Sequence, residues 1–397
     1  MGPVILMGYS VKKVLGKIHL WLGLASGLIV FVIAITGSIY VFGEDIKNIT
    51  HRDRRIIVPP ENAEKLPISQ LLVIAEDAFQ NQYTYSNIVI PNFPNHTVTV
   101  MFNEYDEDKF WYPGYAKFNK TVYLNPYTGE IVKIENTKWE FFNVVFWVHI
   151  TLFMGYNPIS HTIVVAAVWI FVILLLTGLV LWWPNKKQRK TSFLFRWKST
   201  TRWKRKNYDL HNILGFYFLL FALISALTGL LWASKSFNTT VKWVANGGKS
   251  IPEQELPKAK TNSPSNSPLD DILTNTLTNV PQSRYILIRK HPNEKVPYIV
   301  RSYVSESLNF TRIEMYYDRE TAELLSTQEF GDKNNGDKVQ ALNYDIHVGT
   351  IGGWPTKILT FLMSLAVASL PITGFLIWWG RRKFPLTQKR QKGTLTQ

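Results

Sequence analysis

Four histidines stand at the ends of the longest apolar stretches of this chain, and each stretch closes on a Thr-Gly pair. His19 opens the stretch that reaches Thr36-Gly37, and His211 the one that reaches Thr228-Gly229. His149 precedes the stretch ending at Thr177-Gly178, with His161 on the way, and His347 the one ending at Thr373-Gly374. An imidazole left unpaired in hydrocarbon is costly, so an ionisable side chain repeated at membrane entrances marks a functional site. Neutral imidazole is a good iron ligand, and a pair on facing helices can fill both axial positions of one haem. No open position then remains for oxygen or substrate, which suits electron transfer.

The 397-residue chain has no cysteine. That excludes disulfides, thiolate-ligated iron–sulfur clusters and covalent haem attachment through C-x-x-C-H. Any haem is therefore of b type, held by side-chain ligands and packing, and two histidine pairs imply two of them. Small residues support this: Gly23 and Gly27 lie one and two turns from His19 on the same helix face, and Gly215 repeats the first of these beside His211. Gly349, Gly352 and Gly353 follow His347 in the same way. Taken singly, each histidine reads as an interfacial residue bonded to headgroups or backbone, and glycines four apart are common helix-packing devices. The repeated register of all four favours ligation. His161 has no counterpart in the second half, so packing explains it better, and it is the substitute ligand should His149 lie too far from the membrane.

The elements that must position these residues follow from the uncharged runs. These are Ile18–Gly43, Phe141–Asn185, Leu210–Ser234 and Ile358–Gly380, of 26, 45, 25 and 23 residues. A bilayer core takes roughly 20 apolar residues of helix, so each run can span it, and none carries an ionisable pair at its midplane or a mid-membrane break. The boundaries predicted are spans over 14–43, 161–183, 208–234 and, with a lead-in, 346–380. The second has its own interfacial lead-in over 139–160, because Asn157-Pro158 interrupts that run.

Charge sets the orientation. Lys12, Lys13 and Lys17 precede the first span, ten Lys and Arg fill the 184–207 loop, and six follow in the 381–397 tail. These 19 positives exceed the whole formal net charge of +15. By the positive-inside rule both termini and the middle loop are cytoplasmic. The charge then reports topology and contact with anionic lipid, with no nucleic acid needed to explain it. His19 and His211 fall at the cytoplasmic end, His149 and His347 near the outer face. His19 to Thr36 is 17 residues, or roughly 25 Å of helix.

The chain is also written twice. His19-Leu-Trp-Leu-Gly23 matches His211-Asn-Ile-Leu-Gly215, and an outer segment follows each, over 45–138 and 235–345. Each outer segment offers an amphipathic helix, Ile68–Phe79 or Leu269–Leu277, followed by strand-like stretches. These are Ser86–Ile90 with Thr97–Phe102, and Arg284–Arg289 with Tyr298–Tyr303. A strand, turn and return strand close each segment around Asn125-Pro-Tyr-Thr-Gly129 and Asp318-Arg-Glu-Thr-Ala322. Residues 251–268, rich in Pro, Ser, Asn and Lys, read as a solvated linker.

Together the His-x-x-x-Gly and Thr-Gly spans, the Asn-Pro-Tyr-Thr-Gly turn and the histidine before each return span resemble the PepSY-associated transmembrane family. Bacterial inner-membrane ferric-siderophore reductases belong to it, and the resemblance covers nearly the whole chain. It implies an α-helical membrane fold of two TM–PepSY–TM repeats, each with a small periplasmic α+β domain. It further implies an inner-membrane, multi-pass oxidoreductase with haem b at His19, His211, His149 and His347, and a ferric siderophore as periplasmic acceptor. Asp318-Arg-Glu-Thr-Ala322 departs from the Pro and Gly that the family prefers, which bears on that turn.

Other signals are weaker. The run Glu104-Tyr-Asp-Glu-Asp108 reads as solvated charge, and Phe110, Trp111, Tyr112 and Tyr115 as packing. His51, His96 and His291 read as solvated, and Met363 as apolar filler. Phe193, Phe195, Trp197 and Trp203, interleaved with Lys and Arg, suit a segment lying on an anionic leaflet or receiving an electron donor. No G-x-G-x-x-G fingerprint is present, so reducing equivalents come from an outside donor. Competing readings are a membrane-anchored PepSY binding or regulatory module without cofactor, a quinone-linked haem component, and a solute transporter.

Overall fold

The computed structural model describes residues 3–186, 192–252, 263–293, 295–305 and 308–382. Most of the 251–268 linker, residues 187–191 of the basic loop and the tail beyond 382 lie outside the described residues. Helix α1 (Pro3–Val41) is unbroken, as expected of an apolar run with no proline after its first turn; a helix satisfies its own backbone in lipid. Helix α2 (Ile68–Asp77) and helix α3 (Phe141–Thr151) follow. The Glu140 carboxylate accepts from the Phe142 and Asn143 N–H groups and so starts α3. Left-handed Leu152 (φ 55°) stops it. Asn157 then caps helix α4 (Pro158–Trp182), accepting from the N–H groups of Ile159 and Ser160.

Helices α5 (Trp203–Tyr217) and α6 (Leu219–Ala233) follow, then α7 (Pro268–Asn279), α8 (Asn335–Val348) and α9 (Trp354–Arg382). The chain is a membrane protein with several apolar helices and a β-sheet domain. Among the described residues three segments are long and apolar enough to cross a bilayer: Val11–Val41 of α1, all of α4, and Trp354–Arg381 of α9. The stretch expected as an unbroken third span is two helices bent by 62°. The helix breaks at Phe218 (φ −93°, ψ 0°), three residues after Gly215 and with no proline nearby. Beside the break Phe216 stacks on Trp182 at 4.2 Å, and the Tyr217 hydroxyl donates to the Phe193 carbonyl.

Both lead-ins are helical. The lead-in over 139–160 contains helix α3, which carries His149, while His161 sits inside α4. His347 likewise lies on α8, which ends before the span helix α9 begins. In both cases a left-handed residue separates the short helix from the long one.

By internal contacts the chain divides into two units. The first comprises Met1–Ile35, Ala166–Ala226 and Leu362–Gln397. Val30, Leu175, Ala222, Met363 and Val367 form its apolar core, so Met363 is the filler expected.

The second unit comprises Thr36–Val165 and Leu227–Phe361. It holds strands β1 (Tyr85–Pro91), β2 (Val98–Tyr105), β3 (Ala116–Leu124), β4 (Ile131–Glu135), β5 (Tyr285–Arg289), β6 (Tyr298–Tyr303), β7 (Ile313–Tyr317) and β8 (Leu324–Gln328). The two outer segments, expected as separate small domains, share one antiparallel sheet in the order β4-β3-β2-β1-β5-β6-β7-β8. Pairing of β1 with β5 joins them, with Ile88 opposite Ile288. Pairing two strands that would otherwise be edges satisfies rows of backbone donors and acceptors. Helices α2 and α7 meet through the Asp270 carboxylate, which accepts from the Ser69 N–H and hydroxyl.

The departing turn keeps its shape. Gly129 has φ 75°, and a Cβ there would sit 2.7 Å from Ile74. Ala322 occupies the corresponding position at φ 56°. The Asp318 carboxylate accepts from the Glu320 and Thr321 N–H groups, an Asx turn like the one in which Asn125 accepts from the Tyr127 N–H.

Candidate functional site

Each histidine of the first unit is gripped by a Thr-Gly pair on another helix. His19 Nδ1 lies 2.9 Å from the Thr177 hydroxyl, and His211 Nδ1 lies 2.9 Å from that of Thr373. Both threonines spend their own proton on helix carbonyls one turn back, Thr177 on Ile173 and Thr373 on Ser369. Their oxygens are therefore acceptors for an imidazole N–H. This fixes the proton on Nδ1 and leaves Nε2 as the nitrogen with a lone pair, the usual arrangement behind a metal-binding imidazole. The glycines make room for the rings: a Cβ on Gly178 or Gly374 would come 3.2 Å from the Cε1 of His19 or His211.

The second unit repeats this. His149 Nδ1 lies 3.3 Å from Thr36 Oγ1, and His347 Nδ1 lies 2.9 Å from Thr228 Oγ1. A Cβ on Gly37 would come 3.1 Å from His149, and one on Gly229 3.4 Å from His347.

The rings then face each other in pairs. His19 and His211 have centroids 6.4 Å apart with planes at 89°; His149 and His347 are 6.3 Å apart at 64°. With a metal–nitrogen bond of about 2 Å and about 1 Å from nitrogen to ring centre, two imidazoles on one metal ion have centroids roughly 6 Å apart. Around the first pair lies a cavity of ≈ 450 Å³, walled by Gly16, Gly23, Gly27 and Gly215 and by apolar side chains such as Phe171 and Leu174. Its size falls within the usual range for a cofactor pocket, roughly 300–1,000 Å³.

The sequence pattern of the PepSY-associated TM region matches residues 17–381. This chain belongs to that family. A comparison with curated proteins finds no match.

As a member of the PepSY-associated family the chain is a membrane protein, and its histidine geometry fits a haem at each pair. The donor set is neutral imidazole, the ring spacing suits a six-coordinate iron, and glycines cradle the first cavity where a Cβ would fill space. Of the residues expected to make room, Gly23, Gly27 and Gly215 line that cavity. Gly349 does not act this way. It is the left-handed stop of α8 (φ 84°), where a Cβ would run into Thr356 and Thr360. His161 also stays apart, its Nε2 bonded to the Ala233 carbonyl.

Three further readings meet the structure. Tyr112 and Tyr115 are buried against Trp147, while Phe110 and Trp111 remain exposed. Within the acidic run, Glu104 pairs with Lys117. Among the described residues no group of three His, Cys, Asp or Glu is placed to hold a metal ion. His51, expected in solvent, is buried between the helices Gly43–Thr50 and Arg52–Arg55, because the chain turns there against His96 and Thr97. Burial and the Arg54 guanidinium hold its pKa below the ordinary histidine value.

Sequence reasoning missed two asparagines. Asn207 and Asn343 each stand four residues before a histidine, His211 and His347, and are almost fully buried. The Asn207 amide donates to the Thr373 carbonyl at 3.0 Å, and the Asn343 amide to the Thr228 carbonyl at 3.1 Å. Each therefore ties the histidine's helix to the backbone of the threonine that holds the same imidazole. An Asn one turn ahead of each second-half histidine was the available signal; the equivalent positions in the first half are Leu15 and Val145.

Proposed function

We propose that this protein is a di-haem b electron carrier of the bacterial inner membrane, built from two TM–PepSY–TM repeats. The bent α5–α6 pair serves as its fourth span, and both termini are cytoplasmic. Electrons enter at the His19–His211 pair from a cytoplasmic-side donor and leave at the His149–His347 pair to a ferric siderophore or similar chelate in the periplasm. The observation that carries this reading is the duplicated histidine pair with near-identical ring spacing, each ring oriented by a Thr-Gly clamp. The positive-inside charge pattern supports the orientation, and family membership is consistent with the substrate.

A haem held this way supplies a one-electron ferric/ferrous couple with no vacant coordination position. The protein's part is to hold it. Thr177 and Thr373 keep the imidazole proton on Nδ1, and the apolar walls exclude water. Asn207 and Asn343 hold helix against helix, which limits rearrangement when the charge changes. At the outer side one electron converts the chelated ferric ion to ferrous. The lower charge weakens its bonds to hard oxygen donors, and the metal is released.

The test is spectroscopic. Detergent-purified protein is expected to carry close to two haems b per chain, extractable by acidified organic solvent. After anaerobic dithionite reduction, stopped-flow mixing with ferric siderophores is expected to reoxidise it, with a ferrous-specific chelator reporting product. The matching gallium complexes, which cannot accept the electron, should leave it reduced. Protein that stays colourless after haem reconstitution would end the electron-carrier reading. Rapid reoxidation by a quinone and by no ferric chelate would overturn the substrate.

A further inference from the structure

The cavity around the first histidine pair carries its charged lining at one end, and the Ser26 hydroxyl that also lines it is spent on the Leu22 carbonyl. Val30, Phe171 and Leu219 line it with hydrocarbon, while Tyr208, Asn212 and Arg381 line it with polar groups. Helix geometry puts the two sets at opposite ends. On α1, Val30 lies 11 residues past His19, about three turns, in the direction that leads away from Gly16. On α9, Arg381 lies seven residues beyond Gly374, the glycine that seats His211. Seven residues return to the same helix face about 10 Å along the axis. That is comparable to the reach of a porphyrin's two carboxylate arms from its iron.

Arg381 is exposed and forms no ion pair among the described residues. Asp209, the acid on α5, is already engaged by the Arg205 guanidinium at 3.0 Å and the Trp197 indole at 3.2 Å. Lys204 reaches the Gly380 carbonyl at 3.3 Å, which adds a second cation beside this end. Among the described residues, this end of the slot therefore carries the Arg381 guanidinium, with the Lys204 ammonium beside it.

We propose that Arg381 binds the propionate carboxylates of the haem at the His19–His211 pair. The macrocycle's acidic edge then faces the cavity's charged end, and its apolar edge faces Val30 and Phe171. This rests on the haem reading above and adds an orientation to it. A charge-assisted, bidentate guanidinium–carboxylate contact is among the stronger hydrogen-bond arrangements and is directional, so a macrocycle turned the other way would bury its acids against hydrocarbon.

The experiment uses the full chain with His149→Ala and His347→Ala, which leaves only the first pair. Haem-free protein in detergent is titrated with haem and with haem dimethyl ester, whose carboxylates are masked, and binding is followed by absorption. Haem is expected to bind about tenfold or more tighter than the ester. Arg381→Leu is expected to collapse that preference by weakening haem while sparing the ester. Arg381→Lys should restore much of it, and Arg196→Leu, a charge loss in the basic 184–207 loop and away from the cavity lining, should leave it intact. A preference that persists in Arg381→Leu, as expected if Arg381 instead captures a lipid phosphate, would overturn the proposal, as would equal weakening of both compounds. Binding of neither compound by the parent protein overturns the haem reading itself, a separate and recognisable failure.

Discussion

At the scale of single residues, the decisive contact is a hydroxyl. A threonine that donates to its own helix carbonyl has only acceptor capacity left, and the imidazole facing it must then present N–H. Thr373 acts so on His211, and Thr177 on His19. Thr373→Val keeps the shape and removes the acceptor, leaving an imidazole N–H with less to bond. It is expected to weaken haem binding at the first pair by about 10–100-fold, the usual cost of losing such a partner behind a metal ligand. Thr373→Ser should retain most of the affinity. Haem titration of the single-pair protein measures both; equal affinity for Thr373→Val and the parent would show that the hydroxyl does not orient the ring. The Thr-Gly pairs and histidines were visible in sequence as a repeated spacing. The bond between them was not, because the partners stand 158 and 162 residues apart.

At the scale of elements, the question is which helix presents each imidazole. The 45-residue uncharged run contained both His149 and His161, and hydropathy alone could not divide their roles. The structure divides the run at Leu152 and Asn157 into α3 and α4, and only His149, on α3, faces another histidine. His149→Ala is therefore expected to lose one of two haems, and His161→Ala to keep both, as counted by pyridine haemochrome assay. Loss of a haem in His161→Ala alone would move the ligand to α4. The bend at Phe218 escaped sequence reading for a physical reason. Helix breaks are usually legible as Pro or Gly; Gly215, three residues before this one, was read only for the room it leaves beside His211, and the contacts of Phe216 with Trp182 and of Tyr217 with Phe193 join segments that local sequence does not connect. Conversely, Ala322 shows a turn surviving the loss of its expected glycine, with the Asx bonds of Asp318 standing where Asn125 makes one in the first turn.

At the scale of the whole molecule, the outer strands of both halves form one sheet around the β1–β5 seam. Ile88 and Ile288 face each other across it, fully buried. Ile288→Ala is expected to destabilise the second unit by about 2–5 kcal/mol through lost contacts and a cavity. Limited proteolysis and a lowered unfolding midpoint of the outer region would register it; an unchanged midpoint would mean that the seam adds nothing to stability. Alone, the sequence determined the local and the periodic. Apolar run lengths, helix and strand positions, the repeated His and Thr-Gly spacing and the charge asymmetry are all written within a few turns of chain. Tertiary structure decided the rest: the joining of two outer segments into one sheet, the Asn207 and Asn343 ties, the role of Gly349 as a helix stop, and the meeting of histidines in pairs. Apart from the Gly349 stop, which turns on Thr356 and Thr360 close by, these depend on contacts between residues more than a hundred positions apart, such as Asn207 with Thr373 at a separation of 166, and short-range pattern carries no record of which distant partner a side chain meets.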